Sequence, residues 1–215
     1  MGIYVEAIIL YIVLFFSGSA AQITGTAAGT DGFSAVKEII KILFYFIPSI
    51  ALIWYLLIRS WRLEFWAVRP GRKDLTACLV TFPVLLITGF IISYISSAVN
   101  GASAQTTLYS PGNSAEWIIL CFSCIFSAYL EESFFRFYLL KKREELNLNA
   151  TSALMLSVAL FSICHIYEGP WGFLNAVLSG TFLAFIFLRY NSLHGIAIAH
   201  ALYNISVYII NAIIN

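Results

Sequence analysis

The apolar run from Trp117 to Leu140 carries two adjacent carboxylates and an arginine, in Leu130-Glu131-Glu132-Ser133-Phe134-Phe135-Arg136. A run of that length can cross a bilayer, which takes about 20 apolar residues. A charge at the bilayer centre costs about 2.5 to 3.5 kcal/mol on insertion scales. Three charges so close together must therefore be paired and must face the interior of a helix bundle. On a helix Glu132 and Arg136 stand i and i+4 on one face, where they can neutralise each other. Glu131 is rotated about 100° from Glu132, so it is free to face something else.

The rest of the chain shares this solvent. It is 60% hydrophobic and 11% charged, where a soluble domain is about 25% charged, and its mean hydropathy is +0.87. The 215 residues read as one integral membrane domain, 1–215, with membrane lipid as its surroundings. A net charge of +1 gives no reason to expect nucleic acid or another polyanion as a partner. The cysteines Cys78, Cys121, Cys124 and Cys164 lie in apolar runs and read as small buried residues. Cys121-x-x-Cys124 lacks the second pair that a structural zinc site would need.

Seven apolar runs follow one another: Ile3–Phe16, Ile39–Ile58, Leu75–Val99, Trp117–Leu140, Thr151–His165, Trp171–Leu188 and His194–Ile214. Pro48 should kink the second, and Pro83 lies inside the third. The first resembles the hydrophobic part of a signal peptide, but Glu6 stands where a basic residue would be needed, so it reads as a retained span. The Gly-, Thr- and Ala-rich stretch Gln22–Ser34 reads as a loop. The expected fold is all-α: a polytopic membrane bundle of about seven transmembrane helices, with the site in the last four and its core over residues 117–210. Nine of the twelve basic residues, all but Lys37, Lys41 and the intramembrane Arg136, fall in or beside the loops after the second, fourth and sixth runs. The positive-inside rule then puts the loops Arg59–Asp74 and Lys141–Ala150 in the cytoplasm. It also puts the N-terminus in the cytoplasm and the C-terminus outside, across a plasma membrane if the cell is bacterial.

Polar residues interrupt three further runs. His165 ends the fifth, with Phe161 one turn before it. Asn175 lies in the sixth, and His200 and Asn204 stand i and i+4 in the seventh. His194 reads as a loop residue. At 1.5 Å per residue, Glu131 and His200 lie roughly 15 and 13 Å from their basic ends, and His165 roughly 20 Å from its cytoplasmic end. Three antiparallel helices could thus gather a carboxylate and two imidazoles. Each group also has a plainer reading: a Glu–Arg pair holding helices together, an interfacial histidine, and interhelical hydrogen bonds from His200, Asn204 and Asn175. Taken together they fit hydrolysis. A glutamate beside a histidine can hold and deprotonate water, and His plus Asn on one face can bind an oxyanion. Glu131, His165 and His200 are alternatively a zinc ligand set with one position left for water, although no His-Glu-x-x-His helix is present. No Gly-x-Ser-x-Gly supports a serine nucleophile, and Ser133 has no histidine at a fixed distance.

The ordered set Glu131-Glu132-x-x-x-Arg136, Phe161-x-x-x-His165 and His200-x-x-x-Asn204 resembles the CPBP family of CAAX prenyl endopeptidases and bacteriocin-processing or immunity proteins. The resemblance covers roughly residues 117 to 210, with each motif in its own span. It implies an intramembrane peptidase acting on a CAAX-type prenylated tail or a bacterial peptide. Glu131 and His165 would activate water, His200 and Asn204 would bind the oxyanion, and Glu132 and Arg136 would support the site. Two other classes remain open: a non-catalytic membrane immunity or scaffold protein, and an ion-coupled transporter, which uses similar carboxylate and histidine relays. The lack of an internal repeat speaks against the transporter.

Overall fold

The structure is a computed structural model, and it describes residues 3–16, 32–60, 69–100, 110–141, 143 and 146–214. Most of the loop expected at Gln22–Ser34, and parts of both expected cytoplasmic loops, lie outside the described residues. Seven helices are present among the described residues: α1 (residues 3–16), α2 (35–60), α3 (Arg72–Asn100), α4 (Ser114–Lys141), α5 (Ala150–Ile163), α6 (Gly169–Tyr190) and α7 (Leu193–Ile214).

Side-chain caps set several of the starts. Ser34, Asn113 and Asn149 each accept from the backbone N–H three residues on, at the heads of α2, α4 and α5. Between α6 and α7 the chain turns at Asn191, whose left-handed backbone (φ 48, ψ 48) suits an asparagine. Five helices, α2, α3, α4, α6 with the short turn before it, and α7, are long and apolar enough to cross a membrane. The other two of the seven expected spans are shorter. The 14 residues of α5 rise only about 21 Å, against a hydrocarbon core of about 30 Å. The described part of α1 is of similar length.

The proline in α2 acts through the turn before it. Residues Ile42–Phe46 are wound as a π-helix immediately upstream of Pro48, which has no N–H to give to the preceding turn. Pro83 sits inside α3 without interrupting it. The basic residue that breaks the charge pattern deepest within α2, Lys41, pairs with Glu38, whose carboxylate also accepts from Ser123 of α4.

α7 packs chiefly against α3 and α4, while α6 packs against α3 and α5. The short α1 lies parallel to α5. Tyr4 donates to the carbonyl of Leu146, before the start of α5, and Tyr11 to that of Leu160, near its end. Glu6 accepts from Tyr138 at 2.6 Å, Tyr11 stacks on Phe134 of α4, and Phe15 packs at a tilt against Phe134 and Phe135. α1 is thus a packed part of the bundle.

Candidate active site

The site is built on a defect in α4. Its regular winding ends at Glu132, and Ser133–Tyr138 continue as a π-helix, all six side chains buried. Two neighbouring helices grip that stretch from outside. Trp54 of α2 donates to Ser133 Oγ at 3.1 Å, and Ser157 of α5 donates to the carbonyl of Phe135 at 2.7 Å. The second bond occupies a backbone acceptor, the kind of intrusion that accompanies local rewinding. The bond from Trp54 gives Ser133 a buried structural role.

Glu132 and Arg136 are fully buried, and Arg136 Nε lies 3.3 Å from Glu132 Oε2. The contact is an ion pair without hydrogen-bond alignment. The guanidinium is further held by the Gly180 carbonyl, which accepts from Nη2 at 3.2 Å, and by the Phe161 ring, whose centroid is 4.4 Å from Cζ. A Cβ on Gly180 would come within 2.8 Å of Phe161, so glycine is what lets α6 close on this cluster. The expected i,i+4 pairing is therefore present, with two partners from other helices added.

His200 lies between the two glutamates. Its Nδ1 donates to Glu132 Oε1 at 2.9 Å, and its Nε2 is 3.8 Å from Glu131 Oε2. The first distance is a hydrogen bond and the second is too long for one. The carboxylates thus differ in kind. Glu132 is engaged on both sides and has no exposed side-chain surface, whereas Glu131 retains 18%. Glu131 Oε1 accepts from Ser127 at 3.0 Å, and Oε2 is buried with no hydrogen-bond partner.

His165 caps the short turn that follows α5. Its Nδ1 lies 2.9 Å from the Phe161 carbonyl. A carbonyl only accepts, so Nδ1 carries a proton and Nε2 is the basic nitrogen of the neutral ring. The Phe161 ring ties the two histidines into one cluster, 4.7 Å from His165 and 6.0 Å from His200 between centroids. Asn204 stands one turn beyond His200 on α7, half-buried. Among the described residues, no group of three His, Cys, Asp or Glu side chains is placed to hold a metal ion. The zinc set expected from Glu131, His165 and His200 is thus not assembled in this arrangement.

All of these residues fall within one segment. Residues 113–206 match the family model for type II CAAX prenyl endopeptidase, Rce1-like. That segment is similar to a family of membrane proteases. The match covers less than half of the chain and agrees with the CPBP resemblance. No curated protein and no solved structure matches. The Rce1-like segment runs from the start of α4 into the second half of α7 and takes in Glu131, Glu132, Arg136, His165, His200 and Asn204.

Other polar residues have plainer places. His194 is the second residue of α7 rather than a loop residue, and its Nδ1 pairs with Tyr129 at 2.9 Å. Asn175 donates to Tyr203 at 3.0 Å, an interhelical hydrogen bond. The four cysteines are free thiols. Sequence reasoning passed over Ser127, Phe161 as a ring platform, and the Gly180 carbonyl. Ser127 left a trace in its i,i+4 spacing from Glu131, and Phe161 in its i,i+4 spacing from His165.

Proposed function

We propose that the protein is an intramembrane endopeptidase, hydrolysing a peptide bond in a membrane-associated substrate with water activated by Glu131 and His165. The observation that carries this is the asymmetry of the two carboxylates. Glu132 is consumed by Arg136 and His200, while Glu131 keeps one oxygen without a hydrogen-bond partner, 3.8 Å from the His200 imidazole. A carboxylate in that state is suited to accept a proton from water.

The tautomers sort the two histidines. His165 donates from Nδ1 and offers Nε2 as an acceptor, so it can steady or deprotonate the same water. His200 already donates from Nδ1, so only its doubly protonated ring has a second donor, at Nε2. In that form the charges of Glu131, Glu132, Arg136 and His200 sum to zero, which suits a buried cluster. His200 and Asn204 then stand on one face as two donors to the oxyanion of the tetrahedral intermediate. Glu132 and Arg136 hold His200 in place.

The match of residues 113–206 to CAAX prenyl endopeptidases supports a CAAX-type prenylated tail as the substrate, with a bacterial peptide as the other candidate. The test is cleavage in detergent by the purified full chain, given a farnesylated CAAX-type peptide and an unmodified apolar peptide of the same length. Cleavage of either by wild type but not by Glu131→Gln is the expected result. Cleavage of the farnesylated peptide alone would assign the prenylated class. No cleavage of either, from folded protein, overturns the proposal.

A further inference from the structure

Ser127 belongs to none of the motifs. It stands on α4 one turn before Glu131, half-buried. Helical serines and threonines commonly turn back to the carbonyl four residues earlier. Ser162, Ser179, Ser206, Thr76 and Thr181 all do so here. Ser127 does the opposite. Its hydroxyl, with one proton to give, donates forward to Glu131 Oε1 at 3.0 Å.

That bond has a consequence for the carboxylate. The last torsion of a glutamate is broad and nearly two-fold, so its oxygens readily exchange places. His200 is 3.8 Å away, beyond hydrogen-bond reach, and Arg136 is committed to Glu132 and Gly180. Among the described residues, the bond from Ser127 is therefore what sets the orientation of the Glu131 carboxylate.

We propose that Ser127 is a positioning residue for Glu131, locking Oε1 so that Oε2 is the oxygen presented to water beside His200. This rests on the reading of Glu131 as the base. Loss of a hydrogen bond to a charged group, with loosened alignment, should lower kcat about 10- to 100-fold. KM should stay within about twofold, because Ser127 acts on the carboxylate and not on the peptide.

The test compares wild type, Glu131→Gln, Ser127→Ala and Ser127→Thr on whichever of the two peptides above the wild type cleaves, with melting temperatures measured in the same detergent. The expected result is a kcat loss in Ser127→Ala at unchanged KM and melting temperature, with Ser127→Thr restoring most of it through its hydroxyl. If Glu131→Gln is inactive but Ser127→Ala turns over within twofold of wild type, this inference alone is overturned. The same holds if the alanine and threonine variants lose turnover equally. If Glu131→Gln keeps wild-type turnover, or the wild type is inactive, the functional reading fails and this inference fails with it.

Discussion

Because Glu131 and Asn204 serve different steps in the proposed reaction, their loss should read differently. Removing one oxyanion donor typically lowers turnover about 100- to 1000-fold, so Asn204→Ala should leave weak, measurable activity in a folded protein. Glu131→Ala should leave essentially none while substrate still binds. Turnover and affinity measured side by side decide it, and more residual activity in Glu131→Ala than in Asn204→Ala would reverse the roles. Arg136→Ala should behave unlike either. It leaves the buried cluster of Glu131, Glu132 and His200 with one negative charge uncompensated, a loss of about 3 to 5 kcal/mol, so melting temperature and folded yield should fall with activity. An Arg136→Ala protein of normal thermal stability would instead point to a direct part in the chemistry. With water activated by side chains alone, turnover should also survive a strong chelator, and reversible loss on chelation would bring the zinc set back. At this scale the local pairs were legible before the fold was known. Glu132 with Arg136 follows from one-turn spacing within a helix, and the charge cost in lipid demands it. The Gly180 carbonyl, the Phe161 ring and the His200–Glu132 bond were not, since each depends on which helices become neighbours and at what height.

α7 delivers His200 and Asn204, and its seating depends on a close approach near its first turn. A Cβ on Gly195 would lie 2.4 Å from the backbone oxygen of Asp74 and 2.8 Å from Ala77. Backbone cannot swing aside as a long side chain can, so Gly195→Ala should push α7 off α3. Thermal stability should drop and the site should open, although the substitution touches no reacting group. Unchanged melting temperature and turnover would show that α7 accommodates the methyl by sliding. Ser192 sets the register at the same place, donating to Asp74 Oδ1 at 2.5 Å and accepting from the Gly195 N–H at 3.1 Å. Helix existence and order were readable from the apolar runs, because in lipid almost any long apolar stretch must satisfy its backbone as a helix. The π-wound stretch Ser133–Tyr138 was not, because its winding accompanies grips supplied by Trp54 and Ser157 from other helices. The fifth apolar run, Thr151–His165, was already short, but counting it as a span took apolarity for length. Hydropathy measures how apolar a residue is, and not where the chain turns.

For the whole molecule, the charge pattern and the packing agree on relative sides. Tyr4 reaches Leu146, so the start of α1 lies on the same side as the turn before α5. With basic residues flanking that turn, the positive-inside rule predicts that this side faces the cytoplasm. Single-cysteine labelling in intact cells, with the four native cysteines replaced, should leave position 72 protected from an impermeant reagent. Labelling there from outside would invert the orientation. α5, the helix that stops short, neighbours the described part of α1, joined to it through Tyr4 and Tyr11. Lipid beside α5 would have to thin to meet a wall roughly 9 Å lower than an unperturbed bilayer core. His165 is carried just past the end of that wall. On the proposed reaction, acyl-chain length should then act as a control, because longer chains raise the mismatch penalty on the flank that carries His165. Reconstituted into a series of phosphatidylcholines of increasing chain length, the protein should lose turnover as the membrane thickens. A flat response would mean that the low wall is sealed from lipid.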